Sequence, residues 1–273
     1  MQLLNIGCGS SFHQAWTNID LVSSSPNVQS HDIRKGLPYP NGYFDACYSS
    51  HVLEHQSQSD AKSLVSECFR VLKPHGVIRI VVPDLESIVK SYLYTLEQVE
   101  AGVTEAEADY TWMTLELLDQ MVRTSKGGEM INYLSSPNLQ NKQFIKSRIG
   151  WEAEQNWLQQ EEKTNWQKLK SKNWSWLLHN LRIYLARNIV TITAGKEVRL
   201  AFDEGLMRNT GEIHRWMYDR FSLRQLLSKV GFKDVLVCRA DESRIPDFNT
   251  YSLDTIKGLL RKPDSLFIEG IKQ

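Results

Sequence analysis

Residues 3–10, Leu-Leu-Asn-Ile-Gly-Cys-Gly-Ser, and residues 17–21, Thr-Asn-Ile-Asp-Leu, decide how this chain folds. Leu3–Ile6 reads as a short buried strand running into a glycine turn, and Thr17–Leu21 as a second strand that ends around Asp20. In an open parallel sheet, ligands settle beyond the carboxyl ends of the strands. Glycines there take positive φ and let backbone approach a ligand closely. A carboxylate at the neighbouring strand end offers two oxygens to the two hydroxyls of a ribose. The spacing argues against a dinucleotide fingerprint, which needs a third glycine where Phe12 stands and an acid about 20 residues on. Asp20 follows Gly9 by only eleven residues.

Working outward, Val28–His31 reads as a third strand and Phe44–Ser50 as a fourth, introduced by the turn Pro40-Asn41-Gly42. Ser59–Leu72 carries Ala61, Leu64, Val65, Cys68, Phe69 and Val71 at helical spacing, and Lys73-Pro74-His75-Gly76 is expected to stop that helix. Val77–Val82 reads as a buried parallel strand, apolar on both faces. Strands alternating with helices predict an α/β domain. The pattern then turns helical and polar, and five of the eight tryptophans fall at Trp151, Trp157, Trp166, Trp174 and Trp176. It returns with a helix at Ser222–Val230 and strands at Asp234–Cys238 and Ser265–Ile271. With no helix between them, these last two strands can be antiparallel neighbours. The expected organisation is a cofactor-binding half (1–84), a helical insertion (85–210) and a C-terminal part of the same domain (211–273).

The bulk properties narrow the classes. The chain has 273 residues, with 32 Lys+Arg against 32 Asp+Glu, so no global charge argues for a nucleic-acid partner. Cys8, Cys47, Cys68 and Cys238 are scattered without C-x-x-C pairs and read as reduced residues rather than metal ligands. No apolar run reaches the ~18 residues of a membrane span. The first residues lack the basic start of a signal peptide, so a cytoplasmic location is the expectation.

Five segments taken in order, LNIGCGS, TNIDL, HDIRKGLPYPNGYFDACYSSHVLEH, ECFRVLKPHGVIRIVVPDL and HRWMYDRFSLRQLLSKVGF, resemble the class I, type-11-like S-adenosylmethionine-dependent methyltransferases. The resemblance spans about residues 3–92 and 212–271. It implies a Rossmann-like, doubly wound, mostly parallel seven-stranded sheet with an antiparallel last strand, and S-adenosylmethionine (SAM) as methyl donor. It places Gly7 and Gly9 at the methionine part of SAM, Asp20 at the ribose, and Asp32 beside the adenine. Ser49, Ser50 and His51 would lie near the transferred methyl. Asn5 and Cys8 in the turn, Leu21 and Ile33 complete the expected cofactor set. Two departures stand out: Gly9 to Asp20 is too short for the usual first helix, and the chain starts directly at strand 1. Trimmed members of this group from polysaccharide gene clusters look similar. With the segment Arg261–Phe267, which family members from such clusters also resemble, this suggests a glycan acceptor and a role in polysaccharide biosynthesis.

Methyl transfer from a sulfonium needs alignment and exclusion of water above all. A hydroxyl acceptor would also gain from a general base, and imidazole suits this because it titrates near neutrality. His51 and His214 are the candidates, with Tyr218 and Asp219 behind them as residues that could equally cap the Ser222 helix. His51-Val52-Leu53-Glu54-His55 also matches the H-x-x-E-H pattern of inverted zinc peptidases, but that chemistry needs both histidines one turn apart on a helix. Here the segment follows a strand, so the expectation is no metal. The rivals to an O-methyltransferase of a glycan or small polar acceptor are a non-catalytic methyltransferase-like scaffold and a zinc hydrolase using His51, Glu54 and His55. In the insertion, residues 163–187 mix Trp174, Trp176, Leu178, Leu181, Tyr184 and Leu185 with lysines and arginines. That mixture suits peripheral membrane contact, a lid over the acceptor, or packing in a homo-oligomer.

Overall fold

The computed structural model describes residues 1–23, 25–162 and 174–273. Strands β1 (Leu3–Ile6), β2 (Thr17–Asp20), β3 (Val28–Ser30), β4 (Phe44–Ser50), β5 (Leu72–Pro83), β6 (Lys233–Cys238) and β9 (Ser265–Ile271) form one sheet in the order β3-β2-β1-β4-β5-β9-β6. The first five are mutually parallel, and β9 runs antiparallel to both β5 and β6. This is the expected Rossmann-like sheet with one reversed strand. A two-stranded ribbon, β7 (Thr255–Ile256) with β8 (Leu259–Leu260), was not foreseen.

The helices are α1 (Gln58–Val71), α2 (Leu85–Glu100), α3 (Ala106–Val122), α4 (Gly128–Leu134), α5 (Lys142–Ile149), α6 (Trp151–Glu162), α7 (Trp174–Arg208) and α8 (Arg220–Val230). Their starts follow from side-chain caps. Ser57 accepts from the Asp60 N–H at α1, and Asp84 from the Glu86 N–H at α2. Asp219 and Ser222 close a reciprocal capping box at α8. Asp219 is thereby accounted for as a helix cap.

The two faces of the sheet are covered differently. On one face, Leu64, Val65 and Cys68 of α1 and Leu223 and Leu227 of α8 pack on Leu4, Ile6, Cys47, Ile78 and Ile80. On the other, Trp16, Ile245, Phe248 and Leu253 pack on Leu3, Tyr48, Val81 and Phe267. No helix lies between β1 and β2, so Trp16 and the irregular stretch 240–253 take its place. A third core, built on Ile88, Trp112, Met113, Ile145 and Ile149 with Met217, belongs to the helices that follow β5.

One local expectation holds and another needs correction. The helix stops ahead of Lys73–Gly76 as expected, and these residues do not separate it from the next strand. α1 ends at Val71 and β5 begins at Leu72, with His75 taking φ +64° within the strand. Nor is β5 apolar on both faces: Arg79 is fully buried at its centre. Arg79 is held by Asp254 at 2.7 Å and Glu269 at 2.8 Å, and it donates to the carbonyls of Arg239, Ala240 and Glu242. A buried guanidinium with every face occupied can replace a helix as the anchor for irregular chain.

α7 is two helices meeting at Gly195, which takes φ +87°. Arg187 reaches Asp203 at 2.5 Å, although sixteen residues of straight helix would separate them by about 24 Å. The halves therefore fold back as a hairpin. Leu178, Leu181, Leu185, Ile189 and Ile192 form an exposed stripe along its first arm. Residues 163–173 of the aromatic-basic stretch lie outside the described residues. Among the described residues, no helix is long and apolar enough to cross a membrane.

Candidate functional site

The site starts at the end of β1. Gly7 and Cys8 both donate to the Ile19 carbonyl, at 2.8 and 3.2 Å, which pins the turn to β2. The Gly9 N–H donates to Asp20 Oδ2 at 2.8 Å, and Asp20 Oδ1 receives the Val22 N–H at 3.2 Å. Asn5 is buried and donates through Nδ2 to the Ser11 carbonyl and to Asn18 Oδ1. Both glycines have positive φ, +66° and +53°, for different reasons. A Cβ at Gly7 would lie 2.3 Å from Val52 Cγ2, whereas one at Gly9 meets nothing within 4 Å. Gly7 is small because the fold crowds it, and Gly9 is small where the turn opens on empty space. The Cys8 thiol is pushed up to about 11, first by burial and then by the Asp20 carboxylate.

Beyond the turn lies a cleft of about 630 Å³. Its floor is made of Asn5, Gly7–Ser11, Ser50, His51, Val81 and Pro83, the tips of β1, β4 and β5. Helices α3, α4 and α6 wall it with Gln120, Arg123, Met130, Ile131, Trp151, Glu152 and Gln155. The C-terminal part adds Leu253, Asp254, Arg261, Lys262 and Asp264. Arg261 reaches across to the Ser11 hydroxyl, which ties tail to turn. Asp264 is buried, and burial reinforced by nearby Glu116 raises its carboxyl to about 6.

The pleat of β4 sorts its side chains, because successive residues face opposite sides. Tyr48 and Ser50 face the cleft. Ser49 is turned instead toward Ile6, Leu53, Leu64 and Ile80, and its buried hydroxyl has no partner. Its expected place near the transferred methyl is therefore corrected. His51 follows at φ +54° and lines the cleft. Its Nε2 lies 2.9 Å from Ser265 Oγ and its Nδ1 lies 3.1 Å from Glu54 Oε1. Glu54 is fully buried. Burial alone would raise its pKa, but His51, then His55 and His214, outweigh that and hold it at about 2.

His214 does not line the cleft. It is 5% exposed, with its ring edge-on to His55 at 4.8 Å between centroids. Burial drives its pKa down to about 3 against the pull of Glu54, so it is neutral. His214 thus lies behind His51, off the cleft lining, where the sequence reading had placed it facing the acceptor. Asp32 also has a structural occupation. It caps a short turn at Ile33–Lys35 and pairs with Arg34 at 2.9 Å, chiefly through side-chain hydrogen bonds that lower its pKa to about 2. Asp20, Leu21, Asp32 and Ile33 stand on the β2–β3 side of the turn, outside the cleft lining. The cleft residues of the insertion belong to segments without a motif, whereas Arg261, Lys262 and Asp264 of the tail lie in the Arg261–Phe267 segment singled out in the sequence.

An adenosyl sulfonium fits the floor. The space a Cβ would fill at Gly9 is open, and Asp20 presents a carboxylate already oriented by the turn. Residues 4–80 match the family model described as a methyltransferase domain. No curated protein matches the chain in sequence. Among solved structures, a SAM-dependent methyltransferase from Archaeoglobus fulgidus aligns over 99% of this chain and 86% of its own, at 14% identity and TM-score 0.39. A Thermotoga maritima SAM-dependent methyltransferase, described as a possible histamine N-methyltransferase, aligns over 100% and 82%, at 10% identity and TM-score 0.40. The [4+2]-cyclase SpnF aligns with 30% of this chain at 25% identity and TM-score 0.26, and the chain spans 38% of its length. The methyltransferase-domain match, residues 4–80, covers the glycine turn, β2 with Asp20 and β4 with Ser50.

Proposed function

We propose that the chain methylates a hydroxyl of a glycan or a related small polar acceptor seated in the cleft, with His51 as general base. The observation that carries this reading is His51 itself, held at positive φ on the tip of β4. His51 lines the cleft, with its Nε2 at the Ser265 hydroxyl and its Nδ1 at a buried carboxylate. Backbone strain of this kind is kept where the surroundings over-determine it, which is common at sites of chemistry.

Bound SAM supplies a methyl group already activated as a sulfonium. The Gly7–Gly9 turn, braced by Ile19 and Asp20, would hold the donor. Asp20 would accept the ribose hydroxyls through lone pairs left by its two backbone contacts. Glu54 Oε1, 3.1 Å from Nδ1, would hold the His51 ring in place while Nε2 takes the acceptor proton. Ser265 shows that a hydroxyl can stand at hydrogen-bond distance from that nitrogen. α3, α4 and α6 wall the cleft above this floor. The polar wall of Glu152, Gln155, Asn156 and Asp254 beside the Trp151 ring suits a sugar, whose hydroxyls need partners and whose CH face stacks on aromatics.

Titration calorimetry with SAM and its demethylated product tests the donor site, and Asp20→Ala should abolish or severely weaken binding. Transfer of labelled methyl from SAM to polysaccharide fractions tests the acceptor. His51→Gln should lower turnover by ~10²–10⁴-fold with SAM affinity retained. Undiminished binding by Asp20→Ala, or full turnover by His51→Gln, would reject the corresponding role.

A further inference from the structure

Behind His51, three residues from distant parts of the chain converge. Glu54 and His55 lie on the short turn Leu53–His55, and His214 lies in the segment joining the insertion to α8. One ligand-capable atom from each falls within 4.8 Å of the others. The chain ties the segments together independently: the Glu54 carbonyl accepts the Arg215 N–H at 2.7 Å and the Trp216 N–H at 3.2 Å.

The polar atoms at the centre of this cluster are poorly satisfied. Glu54 is 0% exposed, its nearest polar neighbour is His51 Nδ1 at 3.1 Å from Oε1, and Oε2 has no partner. His214 Nδ1 is buried and partnerless too. Leaving such groups without partners is costly, and more so for a charge. His55 Nδ1 lies 3.2 Å from the Ile213 carbonyl. A carbonyl only accepts, so Nδ1 carries the hydrogen and Nε2 presents a lone pair. Metal-binding histidines are ordinarily held this way, with one nitrogen donating to a carbonyl and the other on the ion.

We propose that Glu54, His55 and His214 hold a divalent metal ion of the zinc class. Two imidazoles and one carboxylate form a donor set that suits zinc, whereas calcium and magnesium seek oxygen-only shells. Ligand atoms around tetrahedral zinc stand about 3.4 Å apart, so side-chain rotations of roughly an ångström close the set. The partly exposed edge of His55 offers the route by which the ion and a water enter. This set differs from the H-x-x-E-H arrangement, because His51 stays on the strand tip and His214 replaces it. The ion would lock the turn after β4 to the 213–216 segment and hold Glu54 against His51. The site stands whether or not the cleft methylates a glycan.

The test uses the full chain, expressed without a histidine tag and stripped with a chelator. Zinc is then titrated against a chromophoric chelator, and cobalt(II) is added to a separate sample as a spectroscopic probe. One zinc per chain and the intense visible absorption of four-coordinate cobalt are expected. His214→Ala and His55→Gln should each weaken zinc at least about tenfold, while exposed His75→Ala leaves it unchanged. Substoichiometric zinc in the wild type would overturn the proposal, as would binding undiminished in both variants. Should either variant fail to fold, the wild-type cobalt spectrum decides, and a six-coordinate, weakly absorbing spectrum would count against the site.

Discussion

The two glycines of the turn make opposite predictions when each is given a single methyl group. At Gly9 the backbone sits at φ +53°, where an L-residue costs about 1–2 kcal/mol. The added Cβ meets no atom within 4 Å, so no packing cost is added. With roughly 2–4 °C of Tm per kcal/mol for a domain of this size, Gly9→Ala should melt about 2–8 °C lower and fold normally. Its methyl points into open space beside the cleft floor, so SAM affinity should fall at least about tenfold, equivalent to about 1.4 kcal/mol. At Gly7 the same φ cost applies, and the Cβ also lands 2.3 Å from Val52 Cγ2. Overpacking adds about 1–3 kcal/mol, so the loss of roughly 2–5 kcal/mol should lower Tm by about 4–20 °C. Differential scanning calorimetry of both variants, with titration calorimetry using SAM, reads the two effects separately. Wild-type SAM affinity in Gly9→Ala, or wild-type melting of Gly7→Ala, would refute the assignment of one glycine to the ligand and the other to packing.

Other predictions follow from buried charge. Arg79→Met strands Asp254 and Glu269 without their cation, which should cost about 3–5 kcal/mol and lower Tm by roughly 6–20 °C; a drop under about 3 °C would mean those carboxylates do not depend on Arg79. The Asp264 carboxyl is raised from 3.8 to about 6 in the folded chain, so the native state holds that proton more tightly and stability falls as pH rises from about 4 to 6. Asp264→Asn should remove that loss, worth up to about 3 kcal/mol, and urea midpoints at pH 4.5 and 7.5 would read it; equal slopes for both proteins would refute it. With its thiol raised to about 11, Cys8 is about a thousandth thiolate at pH 8, against roughly a quarter for an ordinary cysteine. Mass spectrometry after iodoacetamide should find it nearly unmodified at pH 8, and rapid labelling there would contradict the raised value.

The strand segments and the glycine turn were legible because both are local. A strand that must be buried reads as an apolar run, and a turn needing positive φ reads as glycine. Leu3–Gly9, Thr17–Asp20, Phe44–Ser50 and the run Ser265–Ile271 needed no knowledge of distant residues, whereas the reversed direction of that last strand depends on its pairing with β5. The absence of a helix between Gly9 and Asp20 was equally plain from the spacing. What replaces that helix was not plain, because Trp16, Phe248 and Leu253 meet only after the tail folds back. Arg79 shows the limit: inside a strand pattern a charged residue reads as a blemish, until Asp254 and Glu269 arrive from 175 and 190 residues away. The same holds for the acidic and aromatic walls of the cleft.

His51 and His214 mark the division most clearly. Sequence by itself marked both as imidazoles near the site. Only the tertiary structure put His51 on the cleft and His214 behind it, among Glu54 and His55. Side-chain type and spacing report which chemistry a residue can perform. The direction in which it points depends on strand alternation, on a positive φ at one residue, and on which distant carbonyls and carboxylates close around it, and those are properties of packing rather than of neighbouring letters.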